Sequence, residues 1–275
     1  MSFILSIVLV VLLYAVCGIA AGAMQRHLGL VSISHAAVLG AGAYSYALSS
    51  TSGAWMSIGM LLALCVGSAF GSLLAIMAVR VRGEAYTLAT FGIQIVFLGV
   101  VSNVFFFGGA LGVSNIPTPG IWELVYLLCL IVSVVALGYR QFQGTLLAGA
   151  CAIVKRGPEL ARAVGLPLLP LLIFHGGLYG AILGISGAIL AAYLTFIDAS
   201  LFGVGVSVGI LSIGIFVMEK GILGSTIGAF VIVGLPQALR LVGLSSSSAG
   251  YVQITLSGLV LFSVAIFWLQ RRKES

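Results

Sequence analysis

The chain has 275 residues, of which 61% are hydrophobic and only 7% charged, with a formal net charge of +6. A soluble domain carries roughly a quarter charged residues, so these proportions exclude a soluble fold, and the length is better counted in membrane spans than in soluble domains. The basic residues sit in short loops with no patch of interleaved aromatics. That excludes a nucleic-acid surface and matches the Lys/Arg excess of cytoplasmic loops in membrane proteins.

The apolar stretches are long and continuous. They suit helices of about 20 residues rather than the shorter alternating strands of a membrane barrel. They predict an all-α polytopic transmembrane bundle of about nine spans, at roughly 3–24, 28–50, 56–79, 85–107, 121–139, 168–195, 201–218, 222–242 and 252–270, within a single domain over residues 1–275. The first, from Phe3 to Met24, lacks the charged start of a cleavable signal and is too long for one, so it reads as a retained span. Nine spans place the termini on opposite sides. With the C-terminus cytoplasmic and the N-terminus outside, Arg26, Arg80, Arg82, Arg140, Lys155, Arg156, Arg162, Lys220, Arg271, Arg272 and Lys273 all fall inside and only Arg240 falls outside.

Chemistry-bearing motifs are scarce. There is no P-loop, no GxSxG and no HExxH. Cys17, Cys65, Cys129 and Cys151 stand singly, which indicates neither a disulfide framework nor a zinc site, and His27, His35 and His175 are far apart in sequence. The span interiors hold almost no ionisable residues. This argues against proton coupling, voltage sensing and an intramembrane enzyme. No cofactor or metal is expected, and the driving force for any transport would come from another subunit.

Four segments stand out in chain order. In Leu28–Tyr44, Gly29 can break a helix, and Ser32 and Ser34 can cap a restarted one; such a half-helix offers free N–H groups and a positive dipole end. Counting from Arg26 at ~1.5 Å per helical residue puts Ser34 and His35 ~12–14 Å deep, near the middle of a ~30 Å core. Ser32, Ser34, His35 and Gly40 are therefore candidate pathway residues; the plainer alternative is a serine-capped ordinary span. In Val79–Thr90 the pattern is a tight cytoplasmic turn opening the fourth span, followed by Gln94 and Asn103, whose amides face either neighbouring helices or the pathway. The interval 140–167 contains a short cytoplasmic helix, with Pro158 in its first turn, Glu159 at its positive end, and Gly165 and Pro167 as its stop. Finally, Gly224 and Gly228 form a GxxxG pair suited to a close helix crossing, one of many small-residue surfaces among 37 glycines.

Taken in order, Gly29–Ser32 with His35–Ala37 and Gly40–Tyr44, Arg80–Tyr86, Glu159–Gly165 and Gly224–Ala229 resemble motifs of the permease subunits of branched-chain amino acid ABC importers, most closely the M-type. The resemblance implies a permease paired with a second one, same or related, two cytoplasmic ATP-binding subunits that hydrolyse ATP, and an extracytoplasmic substrate-binding protein. It implies that the cytoplasmic loop docks on the ATPase, with Glu159 and Arg162 as polar contacts, Leu160 and Val164 as an apolar ridge, and Gly165 ending the helix. The cargo would be a small polar metabolite: a branched-chain amino acid, urea or an amide-like solute. The alternative is a self-sufficient secondary transporter or channel for a small polar solute. That reading calls for an internal inverted repeat, and none is evident in the sequence.

Overall fold

The computed structural model describes residues 2–239, 250–260 and 262–263. Among these residues every regular element is helical. In chain order they are α1 (Ser2–Ala23, continued by a π turn, Met24–Leu28), α2 (His35–Thr51), α3 (Met56–Met77), α4 (Glu84–Asn103), α5 (Ile121–Phe142), α6 (Leu146–Arg156), α7 (Pro158–Ala163), α8 (Leu168–Leu194), α9 (Val204–Ala229), α10 (Leu235–Leu239) and a short apolar helix, α11 (Gly250–Val260).

Among the described residues, six segments are long and apolar enough to cross a membrane: Ile4–Leu28, Met56–Met77, Glu84–Asn103, Ile121–Phe142, Leu168–Leu194 and Ala199–Ala238. The difference from the expected nine has three sources. The span expected at 28–50 is broken, and α2 has only 17 residues. The Ala199–Ala238 stretch, 40 residues long, is not one rod: Gly221 adopts φ 62 and ψ −139 inside α9. Beyond it the chain runs back along itself, with Gly224 against the Phe216 backbone and Gly228 against the Phe216 ring and Ile213. Gly221 thus joins two antiparallel segments where spans 201–218 and 222–242 were expected. Lastly, only part of the ninth expected span is described, and Arg240, Arg271, Arg272 and Lys273 lie outside the described residues.

Between membrane helices there is little hydrophobic drive, so close packing of small residues must hold them together. The centre of the bundle follows this rule. Gly176, Gly180 and Gly184 of α8 lie against Gly71, Gly67 and Ala63 of α3. On its α2 side, Gly184 meets Gly42 and Gly187 meets the Leu39 carbonyl. Backbone therefore touches backbone along most of α8, and α2, α3 and α8 form an inner slab. The outward faces of α3, α4 and α5 are apolar and exposed, as at Leu61, Leu88 and Leu130, which suits lipid contact. At one end of the bundle the α4–α5 and α8–α9 loops are tied by Val113 N–H to the Ile197 carbonyl at 2.8 Å and Ile197 N–H to the Val113 carbonyl at 3.0 Å.

A methyl group at Gly180 would overlap the Gly67 carbonyl, whereas one at Gly92 meets nothing within 4 Å. Gly180→Ala is expected to destabilise the purified protein by about 1–3 kcal/mol, the usual cost of overpacking, and Gly180→Leu to stop it accumulating in membranes. Gly92→Ala is expected to leave the thermal unfolding midpoint unchanged or slightly raised.

Candidate functional site

The interruption before α2 is built from the backbone outward. Gly29 takes φ 69, the left-handed conformation that closes the π turn, with its N–H on the Gln25 carbonyl. Residues 30–34 are irregular, and the helix restarts at His35. Its start lies in the packed interior: Ser32, Ser34 and His35 are 2%, 0% and 1% exposed. A helix start leaves N–H groups without intrahelical partners, and away from water each costs free energy unless it is bonded.

Those groups are satisfied from other helices. The Ala37 N–H donates to Gln94 Oε1 at 2.8 Å, and the Ala36 N–H to Ser207 Oγ at 2.8 Å. Ser207 Oγ donates onward to Gln94 Oε1 at 3.0 Å, and Gln94 Nε2 donates to the Phe202 carbonyl at 2.7 Å. One residue before the serine pair's end, the Ile33 N–H reaches Thr90 Oγ1 at 3.0 Å. The serines bond locally: Ser34 N–H to Ser32 Oγ at 3.1 Å, and the two hydroxyls to each other at 2.8 Å. The sequence reading of free N–H groups capped by Ser32 and Ser34 is therefore revised. In this arrangement α4 and α9 supply the caps, because a buried helix start cannot wait for water. The depth count from Arg26 also assumed a continuous helix, which the irregular 30–34 backbone is not.

His35 Nδ1 and Tyr179 Oη are 2.6 Å apart, while His35 Nε2 has no hydrogen-bond partner among the described residues. Gly40 sits one turn deeper in α2, where a Cβ would press on Phe97 and Phe202. Ser32, Ser34, His35, Gly40 and Gln94 are thus brought together. Asn103 is not: it is exposed at the far end of α4, its amide donating to the Gly99 carbonyl at 2.8 Å. Thr90, Tyr179 and Ser207 were missed in sequence. Thr90 carried a signal, lying four residues before Gln94 and so on the same helical face; Ser207 and Tyr179 sit in apolar stretches and carried none.

The second region is the connector between α5 and α8. It holds two helices rather than the single one expected. α6 starts at Thr145, whose Oγ1 accepts from the Ala148 N–H at 3.3 Å. α7 starts at Pro158 and ends in a Schellman pair, Leu166 N–H to the Ala161 carbonyl at 2.9 Å and Gly165 N–H to the Arg162 carbonyl at 3.0 Å, with Gly165 at φ 76. Ala161 is buried, while Glu159, Leu160, Arg162, Val164 and Gly165 are all exposed. α6 is pinned to the bundle at two points. Lys155 Nζ donates to the Arg26 carbonyl at 3.0 Å, and Arg82 Nη1 donates to the Val154 carbonyl at 3.0 Å. Burial, with Arg162 adding positive charge nearby, lowers the Arg82 pKa below the ordinary guanidinium value; an arginine keeps its charge through such a shift.

A bundle of apolar helices with one helix interrupted and restarted in its interior is the architecture of a polytopic membrane protein with a broken helix. The family model described as branched-chain amino acid transport system / permease component matches residues 3–269, and the chain belongs to that family. Its role is membrane transport, as a component of a larger system. In comparison with curated proteins and with solved structures, nothing matched the chain.

Gln94→Leu would strand the Ala37 N–H and the Phe202 carbonyl in the interior. At about 1–3 kcal/mol for each unsatisfied group, the variant is expected to lose several degrees in thermal unfolding. Adding Ser207→Ala should cost less than the sum of the two single changes, since the residues share one network. Additive losses in purified protein would show that Gln94 and Ser207 act independently.

Proposed function

We propose that the chain is the M-type membrane-spanning permease of an ABC importer, moving a branched-chain amino acid, urea or amide-like solute with ATP hydrolysed by partner subunits. The observation that carries this reading is the buried start of α2, where polar groups from α2, α4 and α9 form one bonded strip in a largely apolar interior. Such a strip is wasted against lipid and useful beside a small polar solute. Gln94 and Ser207 hold the N–H groups of Ala36 and Ala37 in the arrangement described. Withdrawal of α4 and α9 frees those donors for a carboxylate or carbonyl oxygen, so the capping side chains act as stand-ins for cargo. His35 and Tyr179 form the neighbouring wall. The whole chain serves as one transmembrane domain with nine crossings, counting α2, both segments joined at Gly221 and the span expected at 252–270.

The connector is the proposed ATPase contact, a helix laid into a groove of the partner. Leu160 and Val164 give an exposed apolar ridge at i, i+4 spacing, flanked by Glu159 and Arg162. Motion of α7 reaches α6, and through Lys155 and Arg82 it reaches the end of α1 and the α3–α4 turn. Both flank the interruption before α2. The contacts of Lys155 with Arg26 and of Arg82 with α6 gather basic residues at one end of the bundle, which supports a cytoplasmic location for that end. The remaining partners on this reading are a second permease and an extracytoplasmic binding protein.

In the assembled transporter, Glu159→Lys with Leu160→Asp is expected to abolish solute-stimulated ATP turnover while the permease stays folded; unchanged coupling would remove α7 from the ATPase contact. His35→Ala is expected to alter transport rate or selectivity with assembly intact, and normal kinetics would refute a direct role for His35. In a background without native cysteines, Ser52→Cys and Gln143→Cys are expected to label with an impermeant reagent from opposite faces of the membrane, the first from outside. Labelling of both from one face would overturn the topology.

A further inference from the structure

A cavity of about 290 Å³ lies between α1, α5 and α8. Its walls are mainly apolar, among them Ile19, Val135, Leu178 and Ile182. Val134 and Leu178, which also line it, are 61% and 46% exposed, so the cavity opens sideways on the outer face of the bundle between α5 and α8.

One end of the lining is different. His27, Tyr139 and His175 line the cavity and are 9%, 7% and 6% exposed. The His27 and His175 rings are 5.6 Å apart between centroids, and His27 and Tyr139 5.9 Å. His27 Nε2, Tyr139 Oη and His175 Nδ1 all lack a hydrogen-bond partner among the described residues. Buried polar atoms are normally paired, so three orphans in one cluster call for an explanation. His27 also lines a second hollow, of about 510 Å³, whose other residues include Arg26, Lys155 and Arg156. Proceeding from the lateral opening, the sequence of environments is apolar slot, then uncharged donors and acceptors, then a basic rim at the end of the bundle.

We propose that this slot and rim bind one anionic phospholipid, an acyl chain lying in the α1–α5–α8 cavity and the phosphate head held by His27, Arg26 and Lys155. Basic hollows between transmembrane helices are a recurring way to hold acidic lipid heads. A freely diffusing polar solute would gain little from the apolar walls, and a neutral lipid would leave the rim uncompensated. The site is separate from the start of α2, although Tyr179 stands in the wall between them, its ring on the cavity and its hydroxyl on His35. The inference does not depend on which solute is carried.

The test uses the full-length chain in bilayer nanodiscs doped with phosphatidylglycerol bearing a photoreactive acyl chain, with labelled peptides mapped. Labelling is expected in α5 and α8 around Val134, Val135 and Leu178, competed by unlabelled phosphatidylglycerol but not by glycerol phosphate or phosphatidylcholine. Arg26→Gln with Lys155→Gln is expected to cut the preference for phosphatidylglycerol over phosphatidylcholine on the order of tenfold. Val135→Trp, which fills the slot, should suppress cavity labelling while labelling of the outer α4 face persists. His27→Gln with Tyr139→Phe should weaken the preference in a protein whose packing volume is little changed. The proposal is overturned by labelling no stronger in the cavity than on the outer α4 face, by equal labelling with the two lipids, by competition from glycerol phosphate, or by protection with leucine, which would assign the cavity to the solute pathway.

Discussion

A helix that begins inside an apolar interior must have its first N–H groups bonded by something other than water. That requirement organises the centre of this protein. It fixes a glutamine on α4 and a serine on α9 against the start of α2, and it brings the Phe202 carbonyl within reach of the same glutamine. α4 otherwise presents mainly apolar residues outward. Without the bonds from Thr90, Thr87 and Gln94 it would have few specific ties to the interior. The Thr87 hydroxyl, which bonds the Val31 carbonyl at 3.0 Å, extends the same logic to the irregular segment itself. The interruption is thus a junction between three elements whose polar atoms complete one another.

The same junction lies close to the connector between α5 and α8, the part of the molecule proposed to receive force from the ATPase. α6 rests on the end of α1 through Lys155 and on the α3–α4 turn through Arg82. Gly29 packs against the Lys155 side chain, so the residue that ends α1 and the residue that anchors the connector are neighbours. On the proposed reading, a displacement of α7 has a short path to the interruption, through backbone carbonyls and two long cationic side chains rather than through the packed glycine slab. Long, partly solvated side chains can change partners at small cost; glycine-to-carbonyl contacts cannot.

Much of this was legible in the sequence, and the limits have physical causes. The membrane class, the helix break at Gly29, the restart near His35, and the proline start and glycine stop of α7 follow from local rules on glycine, proline and apolar length, and the structure has them. α6 was overlooked because Leu147–Cys151 reads as small and apolar, with no period strong enough to separate a surface helix from a loop. The caps of α2 were given to Ser32 and Ser34 because capping rules look only a few residues along the chain. Ser207 is 171 residues from Ala36, a distance no local rule spans. The histidines lie far apart in sequence, yet folding sets the His27 ring edge-on against His175. Two segments joined at Gly221 read as two spans in the sequence, whereas helical length alone merges them.

The glycine row of α8 has a consequence for how such a protein can change. Where backbone abuts backbone on two sides, a side chain of any size is a steric error, so the positions from Gly176 to Gly187 that face α2 and α3 offer no material for altering chemistry. On the proposed reading, novelty in what the protein accepts has to enter from helices that meet the slab through side chains instead, chiefly α4, α9 and the residues lining the interruption. The inner slab serves as an inherited chassis, and the surrounding helices are where one solute could be exchanged for another.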